Sequence, residues 1–312
     1  MTNILEKLFG RSKIDEPAVK PEPEVTALEK KDTTLPINDD MFDGEELAAI
    51  IAQPEYPHIV VGCAQSVGLQ RDHNEDALFA MSTSLVSNRV GIPMGLFIVA
   101  DGMGGHEHGE LASELAIQAM VSSVLPEITP PALGLVPRMQ EEQLQEIMSN
   151  GVQSAHKSIQ ENASGGGSTL TGLLILGKTV TIAHIGDSRA YHFDGQNTPQ
   201  VLTTDHSLVK RLEDLGQITA DEAAIHPQRN VLYRALGQVE QVDADIVSIT
   251  LPSSGYLVVC SDGLWGLVSD QEISRIILSA DDPQQASQSL LEAANAAGGP
   301  DNISVIIIQI PG

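Results

Sequence analysis

The stretch that decides how this chain folds is FIVADGMGGHEHGE, Phe97 to Glu110. The apolar run MGLFIVA, Met94 to Ala100, reads as a buried strand, and it runs straight into Asp101. Three of the next four residues are glycine, and a helical pattern, GELASELAIQAMVSSVL, starts at Gly109. A carboxylate at the end of a core strand costs free energy unless a charge or a hydrogen-bond donor meets it. Something must meet Asp101.

Outward from this point, strand-like runs recur at HIVVGCA, DALFAM, GLFIVA, STLTGLLIL, TVTIAHI, RAYHF, DADIVSITL, GYLVVCS and NISVIIIQI. Most are short, β-branched and bounded by Gly, Asp or Asn. Helical patterns come in two consecutive pairs. The first joins the segment after Asp101 to EEQLQEIMSNGVQSAHKSIQ; the second joins SDQEISRIILS to DPQQASQSLLEAANAAG. Strands in blocks and helices in pairs do not alternate as a doubly wound parallel sheet would. The expected class is α+β, two antiparallel sheets packed together with helix pairs on their outer faces.

The 312 residues carry 17 Lys and Arg against 42 Asp and Glu, a formal net charge of -25. Such a surface repels nucleic acid and anionic membranes, which excludes both as partners, and any handling of phosphate would need bound cations. No signal peptide and no membrane span is read, so a cytoplasmic location is expected. Cys63 and Cys260 lie in apolar strand-like runs and read as small buried hydrophobes of a reducing compartment. Residues 1–55 read as a largely disordered acidic tail. KPEPEVTALEKKD is rich in Pro, Glu and Lys, with short helices expected before it and over Asp39–Ile51. Residues 56–312 read as the folded domain.

Four further stretches share the signature of Asp101. RDHNEDALF places Glu75 and Asp76 at a strand start, after Arg71; AHIGDSRAY places Asp187 beyond a strand. LVVCSDGLWG and GGPDNISVII place Asp262 after one strand and Asp301 before the last. One such aspartate is an ordinary turn residue. If these strand ends meet, like charges about 4 Å apart repel by roughly 4 kcal/mol per pair at an effective dielectric of 20. Divalent cations relieve that repulsion, and carboxylate and carbonyl ligands select Mg²⁺ or Mn²⁺ over zinc. A residue with no side chain at Gly102 would let its own carbonyl reach the ion.

The stretches SVGLQRDHNEDALF, FIVADGMGGHEHGELAS, GGGSTLTGLLI, AHIGDSRAY, LTTDHSLVKRL, LVVCSDGLWG and GGPDNISVIII occur in order between about residues 59 and 309. Together they resemble the metal-dependent protein serine/threonine phosphatases of the type 2C family, in their bacterial form. The resemblance implies a four-layer α-β-β-α sandwich with a binuclear Mn²⁺ or Mg²⁺ centre between the sheets, activating a bridging water. By position, Asp101 resembles the bridging carboxylate, the Gly102 carbonyl binds one ion, and Asp262 and Asp301 are the other direct ligands. Glu75 and Asp76 match the pair that holds metal-bound waters. Asp187 matches the ligand of a third, weaker ion shared with Asp262. Arg71 matches the arginine that grips the substrate phosphate, its alternative reading being an ion pair with a nearby acid.

Where some members have a histidine to protonate the leaving group, Met103 stands here; His106 or a metal-bound water would then be the donor. Helix-start hydrogen bonding is expected of His106 and His108, rather than metal ligation. Residues 203–240 correspond to the flap subdomain beside the site, with basic Lys210, Arg211, Arg229 and Arg234. The implied partners are phosphorylated proteins and a cognate serine/threonine kinase. The competing readings are a catalytically inactive phosphoprotein-binding homologue and a small-molecule phosphohydrolase on the same fold.

Overall fold

The computed structural model describes residues 59–87, 90–105, 107–133, 139–195 and 199–310. The expected tail, the short helices expected in it and His106 lie outside the described residues.

Alternation with period two builds the sandwich. One sheet contains β2 (Asp76–Ser87), β3 (Val90–Met103), β5 (Leu170–Leu176), β6 (Thr179–Ile185) and β9 (Asp245–Thr250), in that order. The short β4 (Gly167–Ser168) pairs with the end of β3. The other sheet runs β1 (Val60–Ser66), β11 (Ile303–Ile310), β10 (Gly255–Cys260), β7 (Arg189–Phe193), β8 (Gln200–Val201). All the paired strands are antiparallel. Phe97 and Val99 of β3 meet Ile306 and Ile308 of β11 between the sheets. Their neighbours Leu96, Ile98 and Ala100 face the other way, onto α1 (Glu107–Ala132) and α2 (Glu141–Asn162). Likewise Ile303, Val305 and Ile307 of β11 face α6 (Asp270–Ser279) and α7 (Pro283–Ala296). The four-layer α-β-β-α arrangement follows, as expected.

Helix α1 runs further than its pattern. The amphipathic signal stops at Leu125, before Pro126, yet the helix continues through Pro126, Pro130 and Pro131 to Ala132. Ile128 is completely buried against the sheet and α2, and burying an aliphatic side chain is worth about 1.5–3 kcal/mol. That offsets part of the cost of the three prolines inside the helix, about 3 kcal/mol for each. By length and composition alone His108–Ala132 is also apolar enough to cross a membrane, which the sequence reading missed. Its residues Ala112, Ala116, Met120 and Val124 are instead buried in this core. Both cysteines are free, and burial pushes the Cys260 thiol up to about 12, the behaviour of an inert core residue.

Residues 203–240 carry two short helices, α3 (Leu208–Asp214) and α4 (Ala220–Ala224). Ser207 bridges to Leu232, and Leu236 bridges to Ser168 beside β3. This ties the segment to the edge where the acidic strand ends gather.

Candidate active site

Both sheets deliver acids to one end of the sandwich. Asp76 opens β2 and Asp101 lies near the end of β3, and the two are direct partners in the antiparallel register. Asp187 follows β6, and Asp301 precedes β11. Asp262 follows β10 as the first residue of the one-turn helix α5 (Asp262–Trp265). A cavity of about 390 Å³ opens there. Asp72, Glu75, Asp101, Asp187, Asp262 and Asp301 line it, together with Gly102, Met103 and Thr169. Arg71 is the only lysine or arginine among the described residues lining it. Asp76 is not part of the lining. It is buried, with Oδ2 accepting from the Ser261 hydroxyl at 2.7 Å. His108 is exposed in α1 and does not line the cavity.

Hydrogen bonds fix these acids one by one. The Asp101 N–H donates to Thr169 Oγ1, and the Thr169 N–H donates back to the Asp101 carbonyl, both at 2.9 Å. The Trp265 Nε1–H donates to the Asp187 carbonyl at 3.0 Å. Asn302, 4% exposed, braces the loop that carries Arg71 and Glu75. Its Nδ2 donates to the carbonyls of Val67 and His73 at 2.9 and 2.8 Å, while its Oδ1 accepts from the Glu75 N–H at 2.8 Å. Sequence reading passed over both Thr169 and Asn302. The signal available was a lone Thr after GGGS and a lone Asn after Asp301, neither of which names its partner.

Gly102 has a reason beyond the one expected. A Cβ there would collide with the Gly109 carbonyl oxygen and lie 2.6 Å from that of Glu75. The bare backbone at Gly102 lets the start of α1 pack onto the acidic loop; its N–H donates to the Glu75 carbonyl at 3.0 Å. Arg71 makes the alternative contact: its Nη2 lies 2.9 Å from Asp301 Oδ2, with the side chains 46% and 29% exposed. Of the basic residues within 203–240, Lys210 pairs with Glu213 and Asp214, and Arg234 pairs with Asp243 and Asp245, so these two cations are largely neutralised.

Crowding these carboxylates shifts their protonation. Burial, followed by the fields of Asp76, Asp262, Asp187 and Asp301, holds the Asp101 carboxyl well above the usual carboxylate range. Burial and then Asp262 and Asp205 do the same for Asp187. Asp76 is raised to about 7 and Asp262 to about 6, burial again leading in both.

The cluster fits divalent cations by its chemistry. Asp76 Oδ1 and Asp262 Oδ1 are buried without a hydrogen-bond partner, and the cavity offers mainly oxygen donors. Among the described residues, no three acidic, His or Cys side chains close on one point as a ready-made cage. Carbonyl and water ligands would therefore complete any centre, as Mg²⁺ and Mn²⁺ sites commonly require.

An acid-lined cleft of oxygen donors at the end of a four-layer antiparallel sandwich defines a class of proteins suited to holding divalent cations. Residues 62–303 match the family described as protein phosphatase 2C. The protein phosphatase PhpP of Streptococcus pneumoniae is 35% identical over 248 residues, spanning 78% of this chain and 94% of that protein. The serine/threonine phosphatase of S. agalactiae superposes with a TM-score of 0.68 at 30% identity, covering 81% of this chain and all of that one. The catalytic domain of the phosphatase PstP, solved with two manganese ions, superposes at 0.65 with 28% identity, over 82% of this chain and all of its own. The chain belongs to the protein phosphatase 2C family. It is an enzyme, a metal-dependent protein serine/threonine phosphatase.

Proposed function

We propose that the chain hydrolyses phosphoserine and phosphothreonine in proteins at the acid-lined cavity, with a binuclear Mn²⁺ or Mg²⁺ centre. Asp101, the Gly102 carbonyl, Asp262 and Asp301 would hold the two ions directly, with Glu75 and Asp76 behind them. Asp187 and Asp262 would hold a third, weaker ion. When bound, the ions supply Lewis acidity and a water nucleophile at neutral pH. The carrying observation is the set of six carboxylates facing one cavity, with buried carboxylate oxygens on Asp76 and Asp262 left unpartnered.

The chain's own residues supply the positioning. The Thr169 and Asn302 hydrogen bonds hold Asp101 and the Glu75 loop in place before substrate arrives, so little reorganisation is required at reaction. Arg71, exposed on the rim, presents a planar fork suited to two phosphate oxygens once it exchanges Asp301 for substrate. Met103 lines the cavity and cannot donate a proton to the departing alkoxide. A second cavity of about 390 Å³ shares Asp187, Asn230 and Asp262 with the first and is walled by α3 and α4. It gives room for residues flanking a phosphoserine, which favours a peptide over a small phosphoester. The complete acidic set favours activity over an inactive phosphoprotein-binding role. A serine/threonine kinase acting on the same proteins is the partner that this reaction implies.

The test is Mn²⁺-dependent phosphate release from a phosphopeptide and from small phosphoesters. Asp101→Asn and Asp262→Asn are expected to lower turnover at least ~100-fold, the order lost with a transition-state stabiliser. Near-normal turnover by either variant at saturating Mn²⁺ overturns the metal assignment. Preference for a small phosphoester overturns the substrate class.

A further inference from the structure

Asp187 sits in the turn IGDS, whose Gly186 has φ 105°, a conformation that side-chain-bearing residues rarely adopt. What holds that turn is a histidine outside the cavity. His206 is 2% exposed and grips the Gly186 residue on both of its polar groups. The His206 N–H donates to the Gly186 carbonyl at 2.7 Å, and the Gly186 N–H donates to His206 Nδ1 at 3.1 Å.

Because Nδ1 accepts, the proton of a neutral ring belongs on Nε2. Nε2 lies 3.3 Å from Asp245 Oδ2, and Arg234 Nη1 lies 3.2 Å from Asp245 Oδ1 and 3.3 Å from Nε2. The second nitrogen of the guanidinium, Nη2, is on Asp243 Oδ2 at 3.1 Å. The Tyr233 N–H donates to the His206 carbonyl at 2.9 Å, which joins the same histidine to the flap segment. Burial lowers the imidazole pKa, which agrees with a neutral ring whose tautomer is set from outside.

We propose that His206 is a positioning residue for Asp187. It clamps the preceding peptide, with Asp245, itself held by Arg234, accepting from Nε2–H and so fixing its tautomer, and it links the flap to the weaker cation site. This rests on the reading of Asp187 as a ligand of that site. The arrangement follows the general rule that partners behind a ligand orient it, and that their loss typically costs 10–100-fold in metal affinity or activity.

The experiment uses the full chain with three substitutions, H206L, H206N and D187N. Asn carries its amide oxygen where Nδ1 stands, so it can accept from Gly186 but cannot reach Asp245. Free Mn²⁺ is followed by electron paramagnetic resonance to count sites and affinities. Exchange of the Gly186 amide in metal-free protein is followed by NMR, and Tm is recorded for each variant. H206L is expected to weaken the weakest Mn²⁺ site by at least about tenfold, leaving the two tight sites, and to speed Gly186 exchange about tenfold. H206N should restore both to within about threefold while its Tm stays lowered like that of H206L. A lowered Tm with the weak site and Gly186 exchange unchanged in H206L overturns the proposal. So does a failure of H206N to restore them. D187N should lose the weak site outright. If it keeps all three sites, the ligand reading fails and the His206 proposal with it; if only H206L is silent, the His206 proposal fails alone. Should H206L not fold, D245N carries the test: it removes the charge facing Nε2 and should weaken the same site about threefold, and an unchanged site overturns the proposal.

Discussion

Removing the Asn302 side chain should unsettle the site without replacing a single proposed ligand. Its amide makes three hydrogen bonds, to Val67, His73 and Glu75, at 2.8–2.9 Å in a position 4% exposed. At about 1 kcal/mol net for each, Asn302→Ala should cost about 3 kcal/mol, because the three backbone partners lose their mate inside the fold. For a domain of this size that corresponds to roughly 6–12 °C in Tm. The loop it braces carries Arg71 and Glu75, so kcat/KM on a phosphopeptide should fall about 10–100-fold as well, a loss of the order seen when the partners behind a ligand are removed. Asn302→Asp keeps the acceptor for the Glu75 N–H, loses both donors, and sets another carboxylate beside Asp301. It should be no better than alanine. Urea unfolding in chelator and steady-state kinetics at saturating Mn²⁺ measure the two effects separately. A loss below about 1 kcal/mol with unchanged kcat/KM would refute the bracing role, since three buried bonds cannot all be worth so little.

Two further outcomes follow from the same geometry. Gly102→Ala drives a methyl group into the Gly109 carbonyl and should cost about 1–3 kcal/mol in the same urea titration, with activity lost as α1 is pushed from the acidic loop; an unperturbed midpoint would contradict the close packing. In chelator, the raised carboxyls should make stability fall as pH rises from about 4 to 7, because between the unfolded and folded values they bind more protons folded than unfolded. Asp76, raised to about 7, with Asp101 and Asp187 raised well above the usual range, stabilises most below the unfolded value and loses that contribution as pH passes through the folded one. His184, depressed to about 4, acts in the opposite sense, its contribution being lost as pH falls from about 6.5 to 4, so it offsets part of the carboxyl effect within the same window. Saturating Mn²⁺ should flatten the slope, and a slope that is flat already in chelator would remove the argument for crowded carboxylates.

Much of this protein is legible in the sequence alone because its signals are local. Continuous apolar runs in GLFIVA and NISVIIIQI identify strands buried on both faces, and paired helical patterns give the two outer layers. An acid at each strand end is visible as soon as the strand is. What each acid does is not local. Asp76 and Asp101 are neighbours because β2 and β3 pair in one register, and Glu75 meets Asn302 across 227 positions because both sheets end at the same edge. Only the tertiary structure places Asp76 behind the cavity, sets Arg71 on Asp301 and neutralises Lys210 and Arg234 with neighbouring carboxylates. Only it carries α1 through three prolines, where the burial of Ile128 offsets part of a cost that the local sequence sets. Periodicity and residue type report what a segment prefers among its neighbours in the chain. Register and packing decide which distant groups share a cavity, and it is there that burial and mutual repulsion make the carboxylates a candidate site for cations.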